Sequence, residues 1–163
     1  MATNGFTTCL WFDGQAEEAA DYYVSVFKDT GSERGRLSRV TEAGPGEPGS
    51  VLAVEFTANG QRFLALNGGP QFTFNESVSF QIHCADQAEV DHYWRTLTEG
   101  GGEESVCGWL KDRYGVSWQV IPEAIMDLMV NGSDREAAAR ATTAMLSMRK
   151  LDIAALQKAY DGG

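Results

Sequence analysis

Basic residues are scarce in this sequence. Thirteen lysines and arginines stand against 23 aspartates and glutamates in 163 residues, a formal net charge of −10. A nucleic-acid surface or an anionic membrane calls for a basic footprint, so neither is an expected partner. Long apolar runs are also missing. None approaches the roughly 18 residues that a membrane span requires, and Asp13 interrupts the one early apolar patch. The first residues show no basic segment followed by an apolar one, so no secretory signal is expected and a cytoplasmic location is. Cysteine is sparse as well. Cys9, Cys84 and Cys107 are odd in number and far apart, which points to reduced thiols rather than a disulfide framework. What remains is the composition of a globular protein, 43% hydrophobic and 22% charged, long enough to bury a core without covalent staples. A single domain over residues 1–163 is expected.

The pattern along the chain has two halves. Phe6 to Phe12 is β-branched and aromatic and reads as a strand. Gln15 to Phe27 follows as an amphipathic helix, with Ala16, Ala19, Ala20, Tyr23 and Phe27 on one face. A short strand is expected over Leu37 to Thr41, a glycine- and proline-bearing loop over 43–50, and a strand over Val51 to Thr57. Asn59-Gly60 is a hairpin signal, with Gln61 to Asn67 as the returning strand. The order then repeats: a strand over Ser77 to Cys84, a helix opened by Asp86 and running through Leu97, and a break at Gly100-Gly101-Gly102. A short strand near Glu103 to Val106 leads into a strand–turn–strand over Cys107 to Pro122. Asp112 and Gly115 bracket its turn. Beyond the turn Val116, Trp118 and Val120 alternate with Ser117, Gln119 and Ile121. The fold class expected is therefore α+β, two βαβββ modules over approximately 6–69 and 77–122. A helical segment, 123–163, follows, with helices over Ala124 to Val130, Ser133 to Met148 and Asp152 to Tyr160; these read as packing or dimer-forming appendages.

Three stretches taken together, Asp13 to Tyr23, Asp86 to Trp94 and the Cys107–Pro122 hairpin, carry a resemblance. The sequence resembles the PhnB-like branch of the vicinal oxygen chelate superfamily, whose domain bears the label 3-demethylubiquinone-9 3-methyltransferase. The resemblance implies paired βαβββ modules whose curved sheets surround a pocket. It also implies, in the enzymes of the superfamily, a divalent metal held by a His near the start of a module's first strand and a Glu on its last. Here the His positions fall at Thr8 and Gln81. The Glu position falls on Gln119, and in the first module on Leu64 or Leu66. None of these is a strong metal ligand, so no cofactor is expected; a divalent metal held by unorthodox ligands is the alternative.

His83 is the remaining imidazole on a strand face with chemistry. The period of two places Ser79, Gln81 and His83 opposite Phe80, Ile82 and Cys84. A His beside two amides can orient a polar small molecule or exchange a proton near neutral pH, or can simply be satisfied within a polar core. His92 falls on the exposed side of its helix. Cys107 reads either as a thiol activated by Lys111 and Arg113 or as a small buried hydrophobe. Trp109 reads as core or pocket wall. The candidate ligand pocket thus comprises Gln81, His83, Gln119, Thr8, Cys107 and Trp109. Gly44-x-Gly46-x-x-Gly49 spells a dinucleotide fingerprint, but between two strands it opens no helix to receive a pyrophosphate. Nothing resembles a Rossmann-type S-adenosylmethionine site, so the label's methyl transfer finds no support in the residues. Three readings follow: a metal-independent small-molecule-binding homodimer, a glyoxalase- or dioxygenase-type enzyme with atypical ligands, or a dimeric scaffold with a vestigial pocket.

Overall fold

A computed structural model describes residues 5–44 and 46–163. Pro45, part of the loop expected over 43–50, lies outside the described residues. The chain divides into two compact units, Met1–Thr73 and Phe74–Gly163.

The first unit contains β1 (Thr8–Phe12), α1 (Ala16–Val26), β2 (Glu33–Arg39), β3 (Val51–Ala58) and β4 (Gln61–Asn67). Its sheet runs β1-β4-β3-β2, with β1 parallel to β4 and the other pairs antiparallel. The β3–β4 hairpin closes through Asn59 and Gly60, both in the left-handed region at φ 49° and 74°, as an Asn-Gly turn requires. The helix covers one face of the sheet. Ala16, Ala19, Ala20, Tyr23 and Val26 are buried along it, and the Tyr23 ring stacks on Phe56 at 5.8 Å, which stacks on Phe63 at 5.0 Å. The Asn67 side chain ties helix to sheet, since its Oδ1 accepts from the Ala16 N–H at 2.9 Å and its Nδ2 donates to the Val51 carbonyl.

β2 begins four residues earlier than the sequence pattern suggests. Glu33, Arg34 and Gly35 carry little strand propensity, but Arg34 bridges to Asp21 and Glu17 of α1, which pins the strand start to the helix. Gly35 sits in a register irregularity between Arg34 and Leu37. A Cβ there would stand 2.9 Å from the Glu55 carbonyl oxygen, so the bulge passes only with glycine.

The second unit repeats the plan: β5 (Ser79–Cys84), α2 (Gln87–Thr98), β6 (Glu103–Glu104), β7 (Trp109–Lys111) and β8 (Ser117–Pro122). Its sheet runs β5-β8-β7-β6, with β5 parallel to β8. Strand order and sense match the first sheet, so the duplication lies in topology rather than in letters. Asp86 caps α2 by accepting from the Glu89 N–H, and Glu89 reaches back to the Ala85 N–H, a reciprocal arrangement that satisfies two N–H groups at the helix entry. Val90, Trp94 and Leu97 of α2 are buried, as are Ile82, Cys84, Leu110, Trp118 and Val120 of the sheet. The expected strand through Val106 shrinks to Glu103–Glu104.

Three helices complete this unit: α3 (Glu123–Asn131), α4 (Arg135–Leu146) and α5 (Ile153–Asp161). Ser133 does not cap α4. Asp134 does, accepting from the Ala137 N–H at 2.9 Å, a carboxylate one residue on being the better acceptor at a helix dipole. Ile125, Leu151 and Leu156 form a small core of their own with Met129, Met145, Met148 and Ile153 around it. Among the described residues no helix is long and apolar enough to cross a membrane.

Candidate ligand-binding site

The register of the second sheet decides which side chains share a face. Ser79, Gln81 and His83 of β5 stand opposite Ser117, Gln119 and Ile121 of β8, and Gln119 and Ser117 in turn oppose Trp109 and Lys111 of β7. With a period of two these residues share one face. The other face, Phe80, Ile82, Cys84, Leu110, Trp118 and Val120, is the apolar one that α2 covers. Trp118 is thus core, its ring 5.2 Å from Phe80. Along the polar face the amides join: Gln119 Nε2 donates to Ser79 Oγ at 2.8 Å and Gln81 Nε2 donates to Gln119 Oε1 at 3.3 Å.

A cavity of about 490 Å³ opens beside this face at its β6–β7 side. Val106, Cys107 and Trp109 line it, together with Lys111, Ser117 and Glu76. Lys111 Nζ meets Glu76 Oε1 at 2.5 Å. The hydrogen bond from Lys111 holds the Glu76 carboxyl below its ordinary value, and the same bond raises Lys111, with the Glu103 charge adding to it. Ser117 is 1% exposed, and its Oγ has no hydrogen-bond partner among the described residues. A buried hydroxyl left in that state is costly, of the order of 1–3 kcal/mol.

The wall at Cys107 is shaped from outside the sheet. The sequence pattern placed Cys107 at a strand start; it lies instead in the loop before β7, at φ 57°, followed by Gly108 at φ 81°. The Cys107 and Gly108 N–H groups donate to the Met148 and Arg149 carbonyls, each at 2.8 Å, rather than to a neighbouring strand. A Cβ at Gly108 would come within 2.8 Å of the Val120 carbonyl oxygen, so only glycine lets the loop lie this close to β8. The Cys107 Sγ points to the Met145 carbonyl at 3.7 Å. Arg113, expected beside it, donates to the Glu99 carbonyl at the end of α2.

Of the candidates read from the sequence, Cys107 and Trp109 line the cavity. Gln81 and Gln119 do not line it; they share the face of Trp109 through the register of the sheet, Gln119 directly opposite Trp109. His83 shares the face but stands exposed, farther along β5 beside Ile121. Thr8 belongs to the first unit, where its Oγ1 accepts from Gln61 Nε2 at 3.0 Å. Lys111, Ser117 and Glu76 are absent from that candidate set. Alternation in β8 puts Ser117 on the face of Gln119, a signal present in the letters; Glu76 lies in an irregular segment that gives none.

The donor chemistry does not suit a metal. Gln81 and Gln119 offer neutral amides already bonded to each other, and divalent sites of this kind draw on imidazole and carboxylate. Among the described residues no group of three or more His, Cys, Asp or Glu is arranged to hold an ion.

Two sheets of identical strand order, each with its helix between the first and second strands, define the vicinal oxygen chelate fold. The chain belongs to the family described as 3-demethylubiquinone-9 3-methyltransferase, which matches residues 4–121 and so ends ahead of α3. A PhnB protein from Bacillus cereus, described by the same activity, is 36% identical; the match covers 73% of this chain and 99% of that one, with a TM-score of 0.64. Protein PA1353 from Pseudomonas aeruginosa is 18% identical over 74% of this chain and 98% of its own, with a TM-score of 0.59. The fosfomycin resistance protein FosX from Listeria monocytogenes is 15% identical over 78% and 97%, with a TM-score of 0.53. These last two show the fold alone. No curated protein is similar to the chain in sequence.

Proposed function

We propose that the chain is a small-molecule-binding protein of the vicinal oxygen chelate fold that holds its ligand without the metal usual in that fold. The observation that carries this reading is the cavity of about 490 Å³ on the polar side of the second sheet. Such a volume is in the range of small-molecule sites. The metal-ligand positions implied by the family resemblance hold Gln81 and Gln119, whose amides are spent on each other and on Ser79. Methyl transfer is not part of the reading. The glycine loop ahead of β3 opens no helix, so it supplies no N-terminal dipole for a nucleotide phosphate.

The same reading has the protein acting as a cytoplasmic homodimer that takes no nucleic acid. Its support is the acid excess and the exposed Leu128, Val130 and Leu146 of the C-terminal helices, apolar side chains of the kind that subunit contacts cover.

Ligand-dependent melting tests the reading. A binder gains stability as ligand exceeds its dissociation constant, by about 2.7 kcal/mol at a hundredfold excess. At least one member of a diverse small-molecule library is expected to raise the melting temperature of the wild type and not of Trp109→Ala. A library that shifts neither would leave a scaffold with a vestigial pocket.

A further inference from the structure

We infer that the cavity takes a monocarboxylate with an apolar body, and that the Glu76 carboxylate occupies its place on Lys111 in the free protein. This rests on the small-molecule-binding reading and names the ligand class. The argument begins with position. β8 lies between β5 and β7, Ser117 pairs with Lys111 on one side and Ser79 on the other, and Glu76 stands three residues ahead of β5. The Lys111–Glu76 ion pair therefore crosses β8 at its Ser117 end. That crossing accounts for a serine that is 1% exposed yet has no partner for its Oγ among the described residues.

The components are those of a carboxylate site that an internal carboxylate half fills. Lys111 presents three donors from one ammonium. Ser117 presents a hydroxyl that needs an acceptor, because a buried hydroxyl without one is the exception in folded proteins. The two oxygens of a carboxylate satisfy both, one accepting from Lys111 Nζ and the other from Ser117 Oγ. Glu76 reaches only the first. Its side chain is 61% exposed and rises from irregular backbone, so release to water costs little, as for exposed ion pairs in general. An incoming carboxylate replaces that pair in kind. It adds the Ser117 hydrogen bond and covers Trp109, Val106 and Cys107 with its apolar body, which is the gain that Glu76 lacks. Charge sets the limit at one. Glu103 lines the same cavity and acts on Lys111, so a second negative charge on the ligand meets a carboxylate rather than a cation.

Calorimetric titration of the full chain with 2-naphthoate, 2-naphthol and 2-naphthyl phosphate at pH 8 tests the inference. Naphthoate is expected to bind about 10-fold or more tightly than the other two, the effect of a charge-assisted hydrogen bond. Glu76→Gln, which weakens the internal competitor without removing the side chain, is expected to bind naphthoate about 3- to 10-fold more tightly. Lys111→Met weakens it about 10-fold or more while Lys111→Arg retains binding, and Ser117→Ala weakens it about 5-fold. Unchanged or weaker naphthoate binding by Glu76→Gln would overturn the inference. So would equal affinity for all three probes; if Trp109→Ala abolished that equal binding, a small-molecule site would remain and only the carboxylate assignment would fall. No binding of any probe by the wild type or by Glu76→Gln overturns the inference too, and the melting screen then decides the broader reading separately.

Discussion

Asp112 sets the geometry of the β7–β8 hairpin from a position that is 2% exposed. Its Oδ1 accepts from the Tyr114 and Val116 N–H groups at 2.9 and 3.1 Å, and its Oδ2 accepts from Trp118 Nε1 at 2.8 Å. One side chain thus makes the turn and satisfies a buried indole. Asp112→Ala leaves that indole N–H without its carboxylate, and the expected loss is about 3 kcal/mol or more in denaturant unfolding. The turn was legible in the spelling Asp-Arg-Tyr-Gly; the reach to Trp118 was not, because it exists only once the two strands pair. At the same scale the cysteines divide. Burial, with the charges of Glu89 and Asp86 adding to it, pushes the Cys84 thiol up to about 12. It is protonated at neutral pH and enclosed, whereas Cys9 is exposed. A thiol reagent at pH 7 is expected to label Cys9 in the native protein and Cys84 only after unfolding, read by mass spectrometry of the modified peptides.

At the level of elements, the C-terminal helices are fastened to α2 through one fork. Gln87 Nε2 donates to the Leu151 carbonyl at 3.2 Å and to Asp91 Oδ1 at 3.0 Å, while its Oε1 accepts from the Ile153 N–H at 2.8 Å. Lys150 Nζ adds an ion pair to Asp91 at 2.5 Å. The same segment supplies the two carbonyls that hold Cys107 and Gly108, so its seating bears on the cavity wall. Gln87→Ala is expected to cost about 1–2 kcal/mol, a melting temperature lower by about 2–8 °C. The hydrogen bond from Lys150, then that from Gln87, holds Asp91 below its ordinary value of 3.8. A depressed carboxyl stabilises the fold above the unfolded-state value and ceases to do so as pH falls through the folded-state value. Asp91→Asn is therefore expected to lower the denaturant midpoint at pH 7, and the difference from wild type to shrink as pH falls below 3.8 and to vanish once pH is below the depressed folded-state value. Equal deficits at both pH values would show that the ion pair contributes nothing. Periodicity located these helices, though Asp152, expected as the first residue of the last one, is its cap. Their seating was not legible: Gln87 and Leu151 are 64 residues apart, and no local pattern connects them. β2 starts ahead of its sequence pattern for a related reason, since its first residues owe their strand to Arg34 and α1 rather than to propensity.

For the whole molecule, the repeated strand order is what the chain shares with its family, and it was readable from element order alone because turn chemistry marks nearly every corner. Asn59-Gly60 and Asp112–Gly115 stand where the hairpins close. The site was half readable. Alternation put Gln81 and Gln119 on one face with Ser79, as the hydrogen bonds between them show. It could not draw in Glu76, which arrives from irregular backbone, nor turn Cys107 out of its strand, which takes two carbonyls from a distant segment. The central claim is the proposed metal-independent small-molecule site, with Gln81 and Gln119 at the positions that the family resemblance assigns to metal ligands. Mn(II), a divalent ion that accepts carboxylate, carbonyl and water oxygens, is the probe. Calorimetric titration of the protein with Mn(II), after dialysis against chelator, is expected to give no stoichiometric binding below millimolar concentration. One equivalent bound at micromolar affinity, and lost in His83→Ala or Gln119→Ala, would contradict the account.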